Sequence, residues 1–188
     1  PENEADGNRE ITFGRELFIE REDFMEDPPK KFFRLGPGRS FRVKNSYSIT
    51  CTEYVKDPST GAGTEIHCEY HENSKSGQDT SGIKAKGTLH WVHGPSAQKA
   101  QVRLYDRLFN DPEPDGHEEP FTSFLNPDSL EIIKNVMIEP ELMNAKVGEH
   151  FQFLRKGYFC LDPDSTYDNV IFNRTVTLRD NWAKVAGK

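Results

Sequence analysis

PPKKFFRLGPGRSFRVKNSYSITCT, residues 28–52, is chemically unlike the sequence on either side of it. It holds six basic residues, Lys30, Lys31, Arg34, Arg39, Arg42 and Lys44, and no acid. The chain has 24 Lys and Arg against 31 Asp and Glu, so outside this stretch 18 basic residues face all 31 acidic ones, a balance of −13. A basic island on an acidic body points to an anionic partner met at one place, because a chain coating itself in nucleic acid would be basic throughout. From Phe41 to Lys44 the residues alternate apolar and basic, which predicts a β-strand that buries Phe41 and Val43 and presents Arg42 and Lys44 together. The same spacing also suits Lys and Arg that merely solvate an exposed strand face.

The remaining composition bounds the answer. A chain of 188 residues is long enough for one large domain or two small ones. Its 13 Phe, 6 Tyr and 2 Trp supply large buried areas, while 34% hydrophobic content and a mean hydropathy of −0.78 describe a thin core and a wet surface, as in small barrels. Cys51, Cys68 and Cys160 form an odd set with no motif spacing, and no apolar run is long enough for a signal peptide or a membrane span. These features predict a reducing, cytoplasmic compartment. The opening PENEADGNRE is acidic, contains glycine and reads as a linker.

Along the chain, Ile11 to Phe13 and Glu16 to Ile19 read as short strands around Gly14, and Pro28-Pro29 stops any helix. Gly36-Pro37-Gly38 is a tight turn delivering a strand from Arg39 to Lys44, followed by a second from Tyr47 to Val55. Asp57 to Gly63 closes a hairpin with Thr64 to Tyr70 as its return strand, and the polar loop Glu72 to Gly82 leads to a strand from Ile83 to Val92. Gln101 to Phe109 is a further strand, Asn110 to Pro120 a loop, and Asp128 to Ile138 another strand. Pro140 to Ala145 is placed for one helical turn. His150 to Leu161 reads as a hairpin around Lys156-Gly157, and Val170 to Leu178 as the last strand. About ten short strands with little helix predict an all-β fold.

Several apparent motifs lack their context. His67, Cys68 and His71 cluster without a second ligand pair at zinc spacing. His90 and His93 flank Trp91 on opposite strand faces, and Gly61-Ala62-Gly63 lacks the ending and setting of a phosphate loop. Asn173-Arg174-Thr175 matches a glycosylation sequon with nothing else to suggest secretion. No acid and base pair stands in a recognisable frame, so no catalytic or metal-ligating residue is named and the chain reads as a binding module.

ELFIEREDF (16–24), GTLHWV (87–92), VRLYDRLF (102–109), FQFLRKGYFCLD (151–162) and FNRTVTLRD (172–180) together closely resemble the C-terminal anticodon-binding domains of glutaminyl-tRNA synthetases, from about Arg9 onward. The resemblance implies two β-barrels: a proximal one from residues 1–27 and 107–188, lacking an upstream segment that supplies a strand and an Arg, and a distal one from residues 28–106. An anticodon loop would be gripped between them. It implies that Arg34 reads the third anticodon base, G, that Arg42 and Lys44 read the first, and that Gln152 with Arg155 reads the central U. Lys31 belongs to the same set, standing where the family has Gln. Lys44 replaces Arg, Phe33 replaces Lys and Leu154 replaces an acid. Unpaired bases can be splayed, stacked and read on their edges, and an Arg fork suits guanine. Strict alternation puts Gln152 and Arg155 on opposite faces, so their joint use requires a bulge or turn at Leu154 to Lys156.

The implied partners are glutamine tRNA, through its anticodon stem-loop, and a catalytic body in the same polypeptide that uses ATP and Mg²⁺; this piece holds no cofactor and no HIGH-like or KMSKS-like string. A monomer with neither membrane nor DNA as partner is expected. The alternatives are the same domain of an archaeal or eukaryotic-type glutamyl-tRNA synthetase, and a non-catalytic RNA- or protein-binding β-barrel.

Overall fold

The computed structural model describes residues 7–178. Residues 1–6 of the linker-like opening, and Arg179 and Asp180 of the FNRTVTLRD string, lie outside the described residues. The chain forms two compact units, Pro1–Pro95 and Ser96–Lys188. Among the described residues both are all-β, and helix there is confined to short 3-10 turns such as Pro140–Asn144, where the proline takes the first turn as expected.

The first unit contains β1 (Leu17–Ile19), β2 (Ser40–Val43), β3 (Ser48–Lys56), β4 (Gly63–His71), β5 (Thr88–Leu89) and β6 (Trp91–His93). Four of them make a sheet in the order β4-β3-β2-β5, and β1 pairs with β6. The alternation in β2 is realised: Phe41 and Val43 are buried with Leu35, Ile49, Cys51, Leu89 and Trp91, while Arg42 is turned outward. The strand is one residue shorter at each end than the expected Arg39 to Lys44. Asn45 adopts a left-handed conformation (φ 58°), and the Ser46 amide closes on the Val43 carbonyl, so Lys44 begins a turn.

The single strand expected from Ile83 to Val92 is divided. Its middle joins β2 as β5, its end joins β1 as β6, and the change of partner occurs at His90. Ile11 to Phe13 forms no strand. Instead the Phe13 ring packs against Trp91 and Tyr47, with centroids 5.7 and 5.0 Å away.

The second unit contains β7 (Gln98–Tyr105), β8 (Leu130–Ile138), β9 (His150–Phe153), β10 (Gly157–Leu161) and β11 (Val170–Val176), in the order β8-β7-β11-β10-β9. Its core holds Val102, Phe159 and Phe172, with Phe153 stacked on Phe159 at 4.4 Å and edge-on to Phe172 at 5.3 Å. A Cβ at Gly157 (φ 138°) would lie 2.4 Å from the Val176 carbonyl oxygen, so only glycine lets β10 and β11 meet there. Among the described residues neither large sheet closes on itself, so the two expected barrels are seen as two separate all-β cores. The units divide after Pro95, whereas the sequence reading grouped 1–27 with 107–188 around 28–106. Within the first unit β1 is secured to β6, and the Gly94 amide donates to the Glu16 carbonyl at 2.7 Å.

The hairpin between β3 and β4 forms where expected, because one carboxylate organises its turn. Asp57 accepts from the amides of Ser59 and Thr60, each at 2.8 Å, and from the Ser59 hydroxyl. Those bonds, the Ser59 hydroxyl foremost, hold its pKa down to about 2. A depressed carboxylate stabilises its turn above its ordinary range, and that contribution is lost as pH falls through the folded value. The Ser59 and Thr60 amide resonances should therefore titrate with a midpoint near pH 2. A midpoint at the ordinary value of 3.8 would contradict this account of the turn.

Candidate nucleic-acid interface

Arg34 emerges from a segment fixed on both sides. The Leu35 amide donates to the Asp23 carbonyl at 2.9 Å, the Met25 amide to the Leu35 carbonyl at 3.1 Å, and Phe24 and Leu35 form a parallel bridge. Arg39 holds the approach from below, its Nη1 donating to the Phe32 carbonyl at 2.6 Å and its Nη2 to the Pro28 carbonyl at 3.2 Å. Within this frame Arg34 Nη1 lies 3.3 Å from Oδ1 of Asp23, a fully buried carboxylate, and donates to the Glu22 carbonyl at 3.1 Å. A buried carboxylate needs a cation or several donors, so Arg34 is a structural partner before it is anything else. Its Nε and Nη2 have no protein partner among the described residues.

Arg42 is also engaged. Its Nη1 donates to the Ser74 carbonyl at 2.7 Å and to Ser76 Oγ at 3.3 Å, and its Nη2 pairs with Asp79. All three partners belong to the polar loop Glu72 to Gly82, which the sequence shows only as a string of turn formers. The loop is tied to the turn and strand that follow β2: fully buried Ser74 accepts from the Ser48 amide at 2.7 Å, and the Ser76 amide donates to the Ser46 carbonyl at 2.9 Å. The Ser81 hydroxyl and amide, with Arg42 adding to them, hold the Asp79 carboxyl below the ordinary range. A guanidinium has five N–H donors, so Arg42 keeps its Nε–H and one Nη2–H for a further acceptor.

Lys31 is exposed, and so is Lys44, whose carbonyl accepts the Trp91 indole N–H at 2.9 Å. Gly87 lies between β2 and Phe33. Its carbonyl accepts from the Arg42 amide at 3.0 Å, and a Cβ there would lie 3.3 Å from the Phe33 carbonyl and 2.6 Å from the Phe41 ring. The strip Lys84 to Thr88 therefore runs beside both the Lys31 to Arg34 segment and β2. Its two lysines lie outside the basic island of the sequence, and the alternation in IKAKGTL is the signal that marks them.

Gln152 and Arg155 lie in the second unit. Gln152 is exposed on β9 opposite Tyr158, and Arg155 occupies the turn to β10 in a left-handed conformation (φ 65°), with the Lys156 amide closing on the Phe153 carbonyl at 2.9 Å. The turn required at Leu154 to Lys156 is thus present. Three of the motif strings meet at another centre in this unit. Arg103 Nη1 bonds Asp162 at 3.0 Å and Asp164 at 3.1 Å, and the Asn173 amide bonds Asp162. Burial pushes buried Asp162 upward, but the Asp164 amide, Asn173 and Arg103 outweigh it and hold its carboxyl below the ordinary range. The sequon asparagine is committed to this network.

The histidines set aside above are locally occupied, His67 with Glu65 at 2.9 Å and His71 with Thr50 at 2.7 Å. Among the described residues no group of three His, Cys, Asp or Glu could hold a metal, and no helix is long and apolar enough to cross a membrane.

The pairing of Arg34 with Asp23 yields a stability expectation. Arg34→Ala should lower the unfolding free energy by about 1.5–3 kcal/mol, the scale of a hydrogen bond to a charged group. Most of that loss should vanish in an Asp23→Asn background when measured by urea denaturation. Additive losses would show that the pair is uncoupled.

Comparison with known proteins bears on this geometry. Two family models, both described as "tRNA synthetases class I (E and Q), anti-codon binding domain", match residues 1–71 and 88–162. Proteins named glutamine-tRNA ligase match along nearly the whole chain. That of Rhodopirellula baltica is 50% identical over 190 residues, covering 100% of this chain and 31% of its own length. That of Nitrobacter winogradskyi is 49% identical over 186 residues, covering 99% and 33%. That of Clostridium perfringens is 45% identical over 183 residues, covering 97% and 33%. The chain spans about a third of the length of these curated relatives. With both of its units matched in order and half of its residues shared with such relatives, the chain belongs to the anticodon-binding domains of the class I glutamate and glutamine tRNA synthetases.

Proposed function

We propose that the chain binds the anticodon loop of glutamine tRNA, as the recognition part of a cytoplasmic enzyme whose catalytic body, in the same polypeptide, joins glutamine to the tRNA using ATP and Mg²⁺. The observation that carries the reading is the state of the two arginines. Each has one side tied to protein, Arg34 to Asp23 and Glu22, Arg42 to the loop at Ser74, Ser76 and Asp79, and each keeps N–H donors for another acceptor. A guanidinium held in this way loses little freedom on meeting a base, and its remaining donors suit the paired acceptors of guanine or the carbonyl of a pyrimidine.

In this reading Arg34 takes the third base, Arg42 and Lys44 the first, with Lys31 beside them, and Gln152 with Arg155 the central U. Gln can both donate and accept, which matches a uracil edge. The monomeric state belongs to the same proposal.

The test is binding to a stem-loop RNA with the glutamine anticodon, at fixed salt, against loops with the anticodon changed and with a glutamate anticodon. The wild-type chain should prefer the glutamine loop. Arg34→Ala should cost about 1–3 kcal/mol with that loop and much less when the third base is already wrong. Equal affinity for all loops would overturn the function. Preference for the glutamate loop would transfer the chain to the glutamate enzymes.

A further inference from the structure

We infer that Phe33, together with Lys84 and Lys86, forms a nucleotide subsite on the first unit, the ring stacking on one unpaired base and the two ammonium groups meeting the RNA phosphates beside it. The inference rests on the RNA-binding function proposed above and adds residues to it.

Phe33 is 63% exposed, second only to Tyr167 among the large hydrophobic side chains of the described residues. Single exposed apolar residues are common on protein surfaces, so exposure alone decides nothing. The backbone on either side is what distinguishes this one. The Phe32 amide donates to the Pro29 carbonyl at 2.9 Å, the Phe32 carbonyl accepts from Arg39, and Arg34 and Leu35 are tied to Asp23. A large ring is thereby projected from a fixed segment within the most basic stretch of an acidic chain, and no aromatic partner among the described residues covers it. Nucleobases stack on such a surface whatever their identity.

The lysines follow from the strip that carries Gly87. Register pairs Arg42 with Thr88 and Val43 with Leu89 in parallel, and Leu89 is buried while Thr88, Lys86 and Lys84 are exposed. Gly87 faces inward, onto the Phe41 ring, so Lys86 departs on the outer side, where Arg42 also stands. The Phe33 carbonyl lies against the same glycine. No carboxylate pairs with either lysine among the described residues, in contrast to Lys56, which is bound to Glu26 at 2.6 Å. An ammonium is a hydrated point charge with no directional fork, suited to phosphate oxygens more than to base edges.

The two halves of the subsite give separate signatures. Phe33→Ala should weaken binding of the stem-loop roughly ten-fold or more, equally for cognate and altered anticodons, and leave the salt dependence unchanged. Phe33→Trp should retain affinity. Replacing Lys84 and Lys86 with Gln should reduce the slope of log affinity against log salt by about 1.4, for two phosphates of a single strand. A 5-bromouridine walked through the loop should photocrosslink to Phe33 from one position. If the wild-type chain prefers the cognate loop while Phe33→Ala binds as tightly and no position crosslinks to Phe33, the subsite is wrong and the function stands. If the wild-type chain binds no loop selectively, the function itself has failed. Retained folding of the variants, checked by circular dichroism, keeps the comparison valid.

Discussion

Phe41 and Val43 are almost completely removed from water, and a strand cannot bury two such residues without turning the residue between them outward. That constraint fixes the outward face of β2, on which Arg42 stands. It also fixes the neighbours, because β3 pairs antiparallel with β2 on one side and β5 parallel on the other. Gly87 is glycine because the Phe41 ring fills the space a side chain would need. The inward packing of one short strand therefore dictates where the outward charges gather.

Charge in the first unit is divided by chemistry. Arg21, Arg34, Arg39 and Arg42 all give donors to backbone carbonyls, and Arg34 and Arg42 also meet carboxylates. Lys31, Lys44, Lys84 and Lys86 are exposed with no side-chain partner among the described residues. A planar fork can satisfy several carbonyls at once and still keep a free edge, whereas an ammonium is easily hydrated and costs little to leave in water. The arginines thus build loops and hold themselves ready, while the lysines supply the local positive potential. An acidic remainder sharpens that potential by contrast.

Much of this was legible in the sequence because period-two patterning is local. The phasing of β2, the Asp57 turn, the proline-led turn at 140–144 and the hairpin around Lys156-Gly157 all depend on residues close together in the chain. The Asp23 contact was not legible: an acid inside RED looks like any solvated charge, whereas the fold buries it beside the bridge between Phe24 and Leu35. The loop from Glu72 to Gly82 hid its role for the same reason, since its serines serve groups on β2 and β3 that are some thirty residues away. The strand expected from Ile83 to Val92 is divided because an alternation that runs on through His90 does not reveal the change of partner there. Family resemblance supplied the candidate residues, but it could not show that Arg34 and Arg42 already have structural duties.

Arg34 and Arg42, in the function proposed above, each present a free edge from an anchored guanidinium. The most direct measurement is the nitrogen and proton NMR of arginine side chains, recorded with the chain alone and with the glutamine anticodon stem-loop. The Nε–H groups of Arg34 and Arg42 should shift and gain protection from solvent exchange on binding, while those of Arg21 and Arg39 should not. Binding that leaves the Arg34 and Arg42 signals unchanged would contradict that role.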